Sequence, residues 1–219
     1  MFLLLLSPAW AREGVALVVG QESYHHLSDL EHARSDARLL AEALRAGGFE
    51  VDLLEEADRA TFGFRLARLA SGARSDEPVV VAFFGHSLGG YLMLSDSHPG
   101  QLEQSALSAE TLYRSLSGLR VLVLLDAWRN EPVEALCCSD NRLTAEVARR
   151  FGGALFACSP GQRAFDWSER GHGFFAYYLA EAIRAGKRSG EALAEYLRAR
   201  VDRDCRRVML QSQRPFLGD

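Results

Sequence analysis

Residues 79–87 read VVVAFFGHS, six apolar residues followed by Gly85, His86 and Ser87. A run with no polar residue, rich in β-branched and aromatic side chains, is a strand covered on both faces, as in parallel sheets that carry helices on either side. A second run of this kind, Val121 to Leu125, ends in Asp126-Ala127-Trp128-Arg129-Asn130. Ligands of open α/β sheets bind beyond the carboxyl ends of the strands, so these two polar clusters are where chemistry is expected.

Working outward, short apolar runs alternate with amphipathic stretches, the pattern of βαβ units around a largely parallel sheet. Val15 to Gly20 predicts a first strand. Ser28-Asp29-Leu30-Glu31 has the form of a capping box, and Leu30, Ala33, Ala37, Leu40, Ala41 and Leu44 recur at helical spacing until Gly47-Gly48. Further strands are predicted at Val51 to Leu54 and Ala154 to Cys158, with a short hairpin at Tyr91 to Leu94. Helices are predicted at Ala60 to Ala70, Ala109 to Leu116, Phe174 to Ile183 and Glu191 to Val201.

With 219 residues, 48% hydrophobic and 25% charged, the chain fits one globular domain with a full core. A net charge of -4, with no clustered Lys and Arg, argues against a nucleic-acid partner. No stretch reaches the roughly 20 apolar residues that span a bilayer. Residues 1–11 combine an apolar run, Phe2 to Leu6, with Ala9-Trp10-Ala11, an A-x-A-like cleavage site. They read as a truncated signal peptide of an exported, periplasmic or secreted protein; a cytoplasmic chain starting on a buried segment is the alternative. The four cysteines, Cys137, Cys138, Cys158 and Cys205, are too irregularly spaced for a disulfide framework or a zinc site, and read as small buried hydrophobes. One or two bridges become possible if the protein is exported.

From Ala16 the chain reads ALVVGQESYHHLSDLEHARSDARLLAEALRAGGFEVDLL. This resembles the opening of bacterial caspase-like domains, the family that includes metacaspases and paracaspases. The resemblance continues through Phe83 to His86, Tyr91-Leu92, Val121 to Asn130, Ala154 to Gln162 and Gly171 to Leu179. It implies an α/β fold with a mainly parallel six-stranded sheet flanked by helices, covering residues 12–219. It also implies a cysteine-type endopeptidase; no cofactor is expected, and no acidic cluster is distinctive enough to assert a calcium site.

In that family a His after the third strand and a Cys after the fourth form a dyad, in which a thiolate attacks a peptide carbonyl and imidazole moves the protons. His86 matches the His, although the usual Gly-His-Gly is here Gly85-His86-Ser87. The family's Asp-Ala-Cys-Arg-Asn is here Asp126-Ala127-Trp128-Arg129-Asn130. An indole has an N–H donor but no ionisable group and no atom that could form an acyl intermediate. The resemblance therefore implies a retained cleft and a lost nucleophile, a pseudo-peptidase that binds peptide or protein. By the same resemblance Asp36 and Asp126 match two acidic residues that select Arg or Lys in metacaspase-like members. A basic side chain of a peptide would then meet acidic walls and the face of Trp128. Ser87, Arg129, Ser159, Asp166 and His172 fall where the cleft would be lined, with Trp167 beside them.

Two other nucleophiles compete. Gly85-His86-Ser87-Leu88-Gly89 spells the G-x-S-x-G elbow of serine hydrolases, with Asp126 or Asp166 and then His172 in the required chain order. That elbow must run straight into a helix, whereas Gly90 to Pro99 predicts a hairpin and turn. Cys137 or Cys138 could act if its loop folds back on the cleft, given a placed base and an electropositive niche. His25 and His26 read as loop residues with nothing nearby to complete a metal site.

Overall fold

A computed structural model describes residues 12–127, 142–151 and 153–218. The chain begins β1 (Gly14–Gly20), α1 (Ala33–Ala46), β2 (Phe49–Glu55), α2 (Arg59–Gly72) and β3 (Pro78–Phe84). Two short strands, β4 (Ser87–Leu88) and β5 (Tyr91–Leu92), follow, then α3 (Leu102–Ser105), β6 (Leu107–Ser108) and α4 (Ala109–Leu116). Next come β7 (Arg120–Asp126), α5 (Arg142–Phe151), β8 (Ala154–Phe156), β9 (Asp166–Trp167) and β10 (His172–Gly173). The chain ends with α6 (Phe174–Arg184), α7 (Gly190–Met209) and β11 (Phe216–Gly218).

Six strands form one sheet in the order β11-β8-β7-β3-β1-β2, all parallel except β11. Residue alternation along each strand divides the core. From β3, Val80, Ala82 and Phe84 face α1, α6 and α7, while Val79, Val81 and Phe83 face α2, α4 and α5. Both sets are almost wholly buried. Burying one Phe or Leu stabilises the fold by about 1.5–3 kcal/mol, so the sheet is held from both sides. The chain passes from β1 outward to β2 and then back across to β3, which places the switch point of the sheet at the carboxyl ends of β1 and β3.

Several expectations need correction. The first helix does not start at the capping box. His32 occupies the cap position without a side-chain bond, and the backbone N–H of Arg34 instead donates to Glu22 Oε1 at 2.9 Å. The residues before the helix are engaged elsewhere: Asp29 Oδ1 accepts from the Tyr24 N–H, and the Leu30 N–H donates to the Glu22 carbonyl. The strand predicted to reach Cys158 stops at Phe156, although Cys158 is buried as expected. Helix α7 continues to Met209 because Cys205 extends the buried stripe of Leu197 and Val201, and Asp204 accepts a bond from the Tyr178 hydroxyl. Helix α5 and strands β9, β10 and β11 were not anticipated, and His172 lies in β10. No helix among the described residues is long and apolar enough to cross a membrane.

Candidate functional site

The carboxyl ends of β1, β3 and β7 stay hydrogen-bonded beyond the last strand residue. The Gln21 N–H donates to the Phe84 carbonyl at 2.9 Å, and the Gly85 N–H to the Asp126 carbonyl at 3.0 Å. Gly85 is required at this point: a Cβ there would lie 2.7 Å from the Phe83 ring and 2.8 Å from the Tyr24 hydroxyl.

His86 follows and is buried. Its backbone N–H donates to the Tyr24 hydroxyl at 2.9 Å, and that hydroxyl donates to the Gln21 carbonyl at 3.0 Å. The Tyr24 ring lies 4.9 Å from the imidazole, centroid to centroid. On the other side the His86 carbonyl accepts from the Met93 N–H at 3.0 Å. Nε2 sits 3.0 Å from the Ser28 carbonyl oxygen. A carbonyl can only accept, so Nε2 carries the proton, and in a neutral ring Nδ1 is the basic nitrogen.

The loop that supplies Tyr24 and Ser28 is pinned from β2. Glu56, at φ +72°, accepts the backbone N–H groups of Glu22 and Ser23 and a bond from the Gln21 side chain. Gln21 also accepts the Ala57 N–H through its side-chain oxygen at 2.9 Å. Sequence reading assigned no role to Tyr24 or Glu56, and gave Ser28 only the helix-capping role that the structure does not bear out. The Tyr stood within the quoted resemblance, but its purpose shows only when β1 and β3 are side by side.

Ser87 Oγ donates to the Ala127 carbonyl at 2.7 Å, which ties the residue after His86 to the residue before Trp128. Trp128, Arg129, Cys137 and Cys138 lie outside the described residues. The G-x-S-x-G segment enters the β4–β5 hairpin rather than a helix, and His172, the base of that alternative, contacts Asp36 on α1.

Asp36, in the first turn of α1, is fully buried. Its Oδ1 accepts the Gly173 N–H at 3.0 Å and lies 3.3 Å from His172 Nδ1. Ser35 Oγ donates to the Gly171 carbonyl at 2.8 Å, clipping the start of α1 to the β9–β10 segment. Asp126 ends β7, also buried. Its charge adds to the effect of burial in pushing the Cys158 thiol well above the ordinary thiol range. Such a thiol is not a nucleophile at neutral pH. Ser159 donates to the Arg214 carbonyl at 2.9 Å, tying the loop after β8 to the segment before β11. Asp166 lies in β9 opposite Gly173, and Trp167 stacks on Phe174 at 4.7 Å. His26 packs on His98 at 4.6 Å in the loop region where it was expected. Among the described residues no group of three or more His, Cys, Asp or Glu side chains is placed to hold a metal ion.

Comparison with solved structures finds the same architecture. Caspase-1 from Spodoptera frugiperda superposes with a TM-score of 0.68 at 17% identity, covering 97% of this chain and 90% of that one. The structure described as pro-sf-caspase-1 gives 0.68 at 18% identity, covering 95% and 87%. At such identities the likeness is one of fold. No curated protein matches the sequence. The caspase domain family model matches residues 13–217, nearly the whole of the described fold, and the chain therefore belongs to the caspase domain family.

Proposed function

We propose that this protein is a metacaspase-type pseudo-peptidase, a peptide-binding cleft that keeps the dyad imidazole and has lost the nucleophile. The observation that carries the reading is the residue sequence at the two strand ends. His86 stands two residues past Phe84, Trp128 two residues past Asp126, and Phe84 and Asp126 are register partners on adjacent strands. In an active relative a thiol on the second strand end would face a base on the first. Here the base has its Nε2–H directed at Ser28, while position 128 offers an indole that can neither lose a proton to it nor attack an amide carbon.

Asp36 and Asp126 form the acidic walls of the first specificity pocket, and the ligand is a peptide or protein segment with an Arg or Lys side chain. A buried carboxylate favours a charge-assisted, two-pronged bond to guanidinium, and the indole adds a cation–π face. The apolar Phe2–Leu6 run and Ala9-Trp10-Ala11 support export as the setting.

The test uses fluorogenic Arg, Lys and Asp peptides. The natural chain gives no turnover, and Trp128→Cys gains Arg-directed cleavage that a further His86→Ala removes. Turnover by the natural chain that His86→Ala abolishes would sink the inactive reading.

A further inference from the structure

We propose that the carboxyl end of α7 is a docking tip for an anionic membrane surface, with Val208, Met209 and Leu210 entering the headgroup layer and four arginines meeting its charge. Of the four large apolar side chains exposed among the described residues, three are these consecutive ones, and Leu210 is 85% exposed. Leu210 also closes the helix in the left-handed conformation, φ +57°, with its N–H donated to the Arg206 carbonyl. Glycine takes that conformation freely, whereas a residue with a Cβ is strained there. Packing within the described chain does not account for the leucine, since its side chain meets solvent. An exposed apolar patch with a polar rim marks an interaction surface.

The rim decides which kind of surface. Residues 198–214 hold six arginines and two aspartates, in a chain with 29 acidic and 25 basic residues overall. They form no long basic run in the sequence, because core positions such as Val201 and Cys205 are interleaved, and the helix gathers them at its end. Arg206 and Arg214 share Asp202, at 2.9 and 3.4 Å, and Arg203 and Arg207 share Asp204, at 2.9 and 3.6 Å. Each carboxylate thus steadies two guanidiniums and cancels one, which leaves each trio a positive charge in excess. Asp202 is further held by the Ser212 hydroxyl at 2.5 Å, and Asp204 by the Tyr178 hydroxyl. The aspartate side chains lie inward, 21 and 6% exposed, and the four arginines outward at 52 to 68%. Cations at a helix carboxyl end complement its dipole, which accounts for Arg206 and Arg207 but neither for Arg214 nor for the apolar residues beyond. A nucleic acid or an acidic protein surface would use the charge and leave Leu210 idle. A lipid surface uses both, its phosphates taking the guanidiniums and its acyl boundary the apolar side chains.

The experiment measures co-sedimentation of the full chain with vesicles of phosphatidylcholine alone and of an equal mixture with phosphatidylglycerol. Binding should appear with the anionic vesicles only, and weaken as salt rises from about 0.01 to about 0.15 M, over which the screening length falls from about 30 to about 8 Å. Arg207→Gln and Arg214→Gln each leave the carboxylate paired with its other arginine, and each should weaken binding about fivefold, the effect of one basic residue near such a surface. Leu210→Gly relieves the left-handed strain, so the variant should be at least as stable as the natural chain and still bind about tenfold more weakly. Arg114→Gln, which removes an exposed charge on α4, should bind as the natural chain does. No binding to the anionic vesicles, or equal binding to both kinds, overturns the proposal. So does Leu210→Gly binding at full strength, which would make the tip a site for a soluble polyanion such as a nucleic acid or an acidic protein. A loss in Arg114→Gln as large as in the tip variants would show diffuse attraction by the whole chain and overturn it too.

Discussion

β3 and β7 lie side by side in register, seven residues each, and differ in what their ends carry. Val79 to Phe83 of β3 and Val123 to Leu125 of β7 are alike in kind: apolar, alternating between the two core layers, and buried. At their ends the first carries an imidazole beside the Tyr24 ring and the Ser28 carbonyl, and the second carries Asp126 and Ala127, followed in the sequence by Trp128. On the pseudo-peptidase reading proposed above, packing and chemistry part at the strand ends: a fold held by both faces of its sheet tolerates a change there that covalent catalysis does not.

The largest effect that could break this comparison lies in the strand body. Phe84→Ala empties a fully buried site between β3 and the helices of one face. Loss of such a ring costs about 3–5 kcal/mol, and denaturant unfolding should show a midpoint lowered accordingly. An effect under 1 kcal/mol would mean that the body of the sheet is not what holds the ends in place.

Next in size is Tyr24→Phe, which keeps the ring beside the imidazole and removes only the hydroxyl. The His86 N–H then loses its acceptor in a buried setting, a penalty of about 1–3 kcal/mol. In the Trp128→Cys background the same change should lower kcat more than it raises KM, since it loosens a base rather than a binding wall. Equal loss of both would place Tyr24 in the pocket instead.

These two residues also mark how much was legible in the sequence. Strands β1, β3 and β7 and helices α1, α4 and α6 show their own periodicity, and His86 stands in a motif. What escaped depends on partners distant in the chain. β11 is three residues paired to β8, and β9 and β10 are two residues each, too short for alternation to register. Helix α5 buries Leu143 and Val147 one turn apart among Arg and Glu residues, a stripe too narrow to stand out. The enclosure of His86 is made by a phenol 62 residues away and a backbone carbonyl 58 residues away. A backbone carbonyl leaves no mark on residue identity at all.

A region remote from both strand ends sharpens the contrast. Between α6 and α7 the Tyr178 hydroxyl donates to Asp204, which Arg203 also holds. The Arg203 guanidinium brings the Asp204 carboxyl down to about 2, and burial with the neighbouring carboxylate pushes the Tyr178 phenol up to about 12. The carboxyl's contribution to stability is complete above its unfolded value near 4 and is lost as pH falls toward 2; the phenol's is complete below about 10 and is lost as pH rises toward 12. Asp204→Asn should therefore flatten the acid limb of a pH–stability profile and leave Arg-peptide binding at neutral pH unchanged. A matching loss of binding would show that the far helices and the cleft are not independent.

The smallest effect falls where the two strand ends touch. Ser87→Gly restores the residue usual in the family and removes the 2.7 Å bond to the Ala127 carbonyl. Ala127 is buried, so its carbonyl loses its hydrogen-bond donor, and the expected cost is about 1 kcal/mol, the low end for an unsatisfied buried group. The informative reading comes in the Trp128→Cys background. If the serine only ties the loop before position 128, Ser87→Gly should change cleavage by no more than the stability loss implies, and a fluorophosphonate should label neither form. Labelling that disappears with Ser87 would make the hydroxyl a nucleophile and assign the chemistry to the β3 end alone, erasing the division between a base on one strand and a missing thiol on the next.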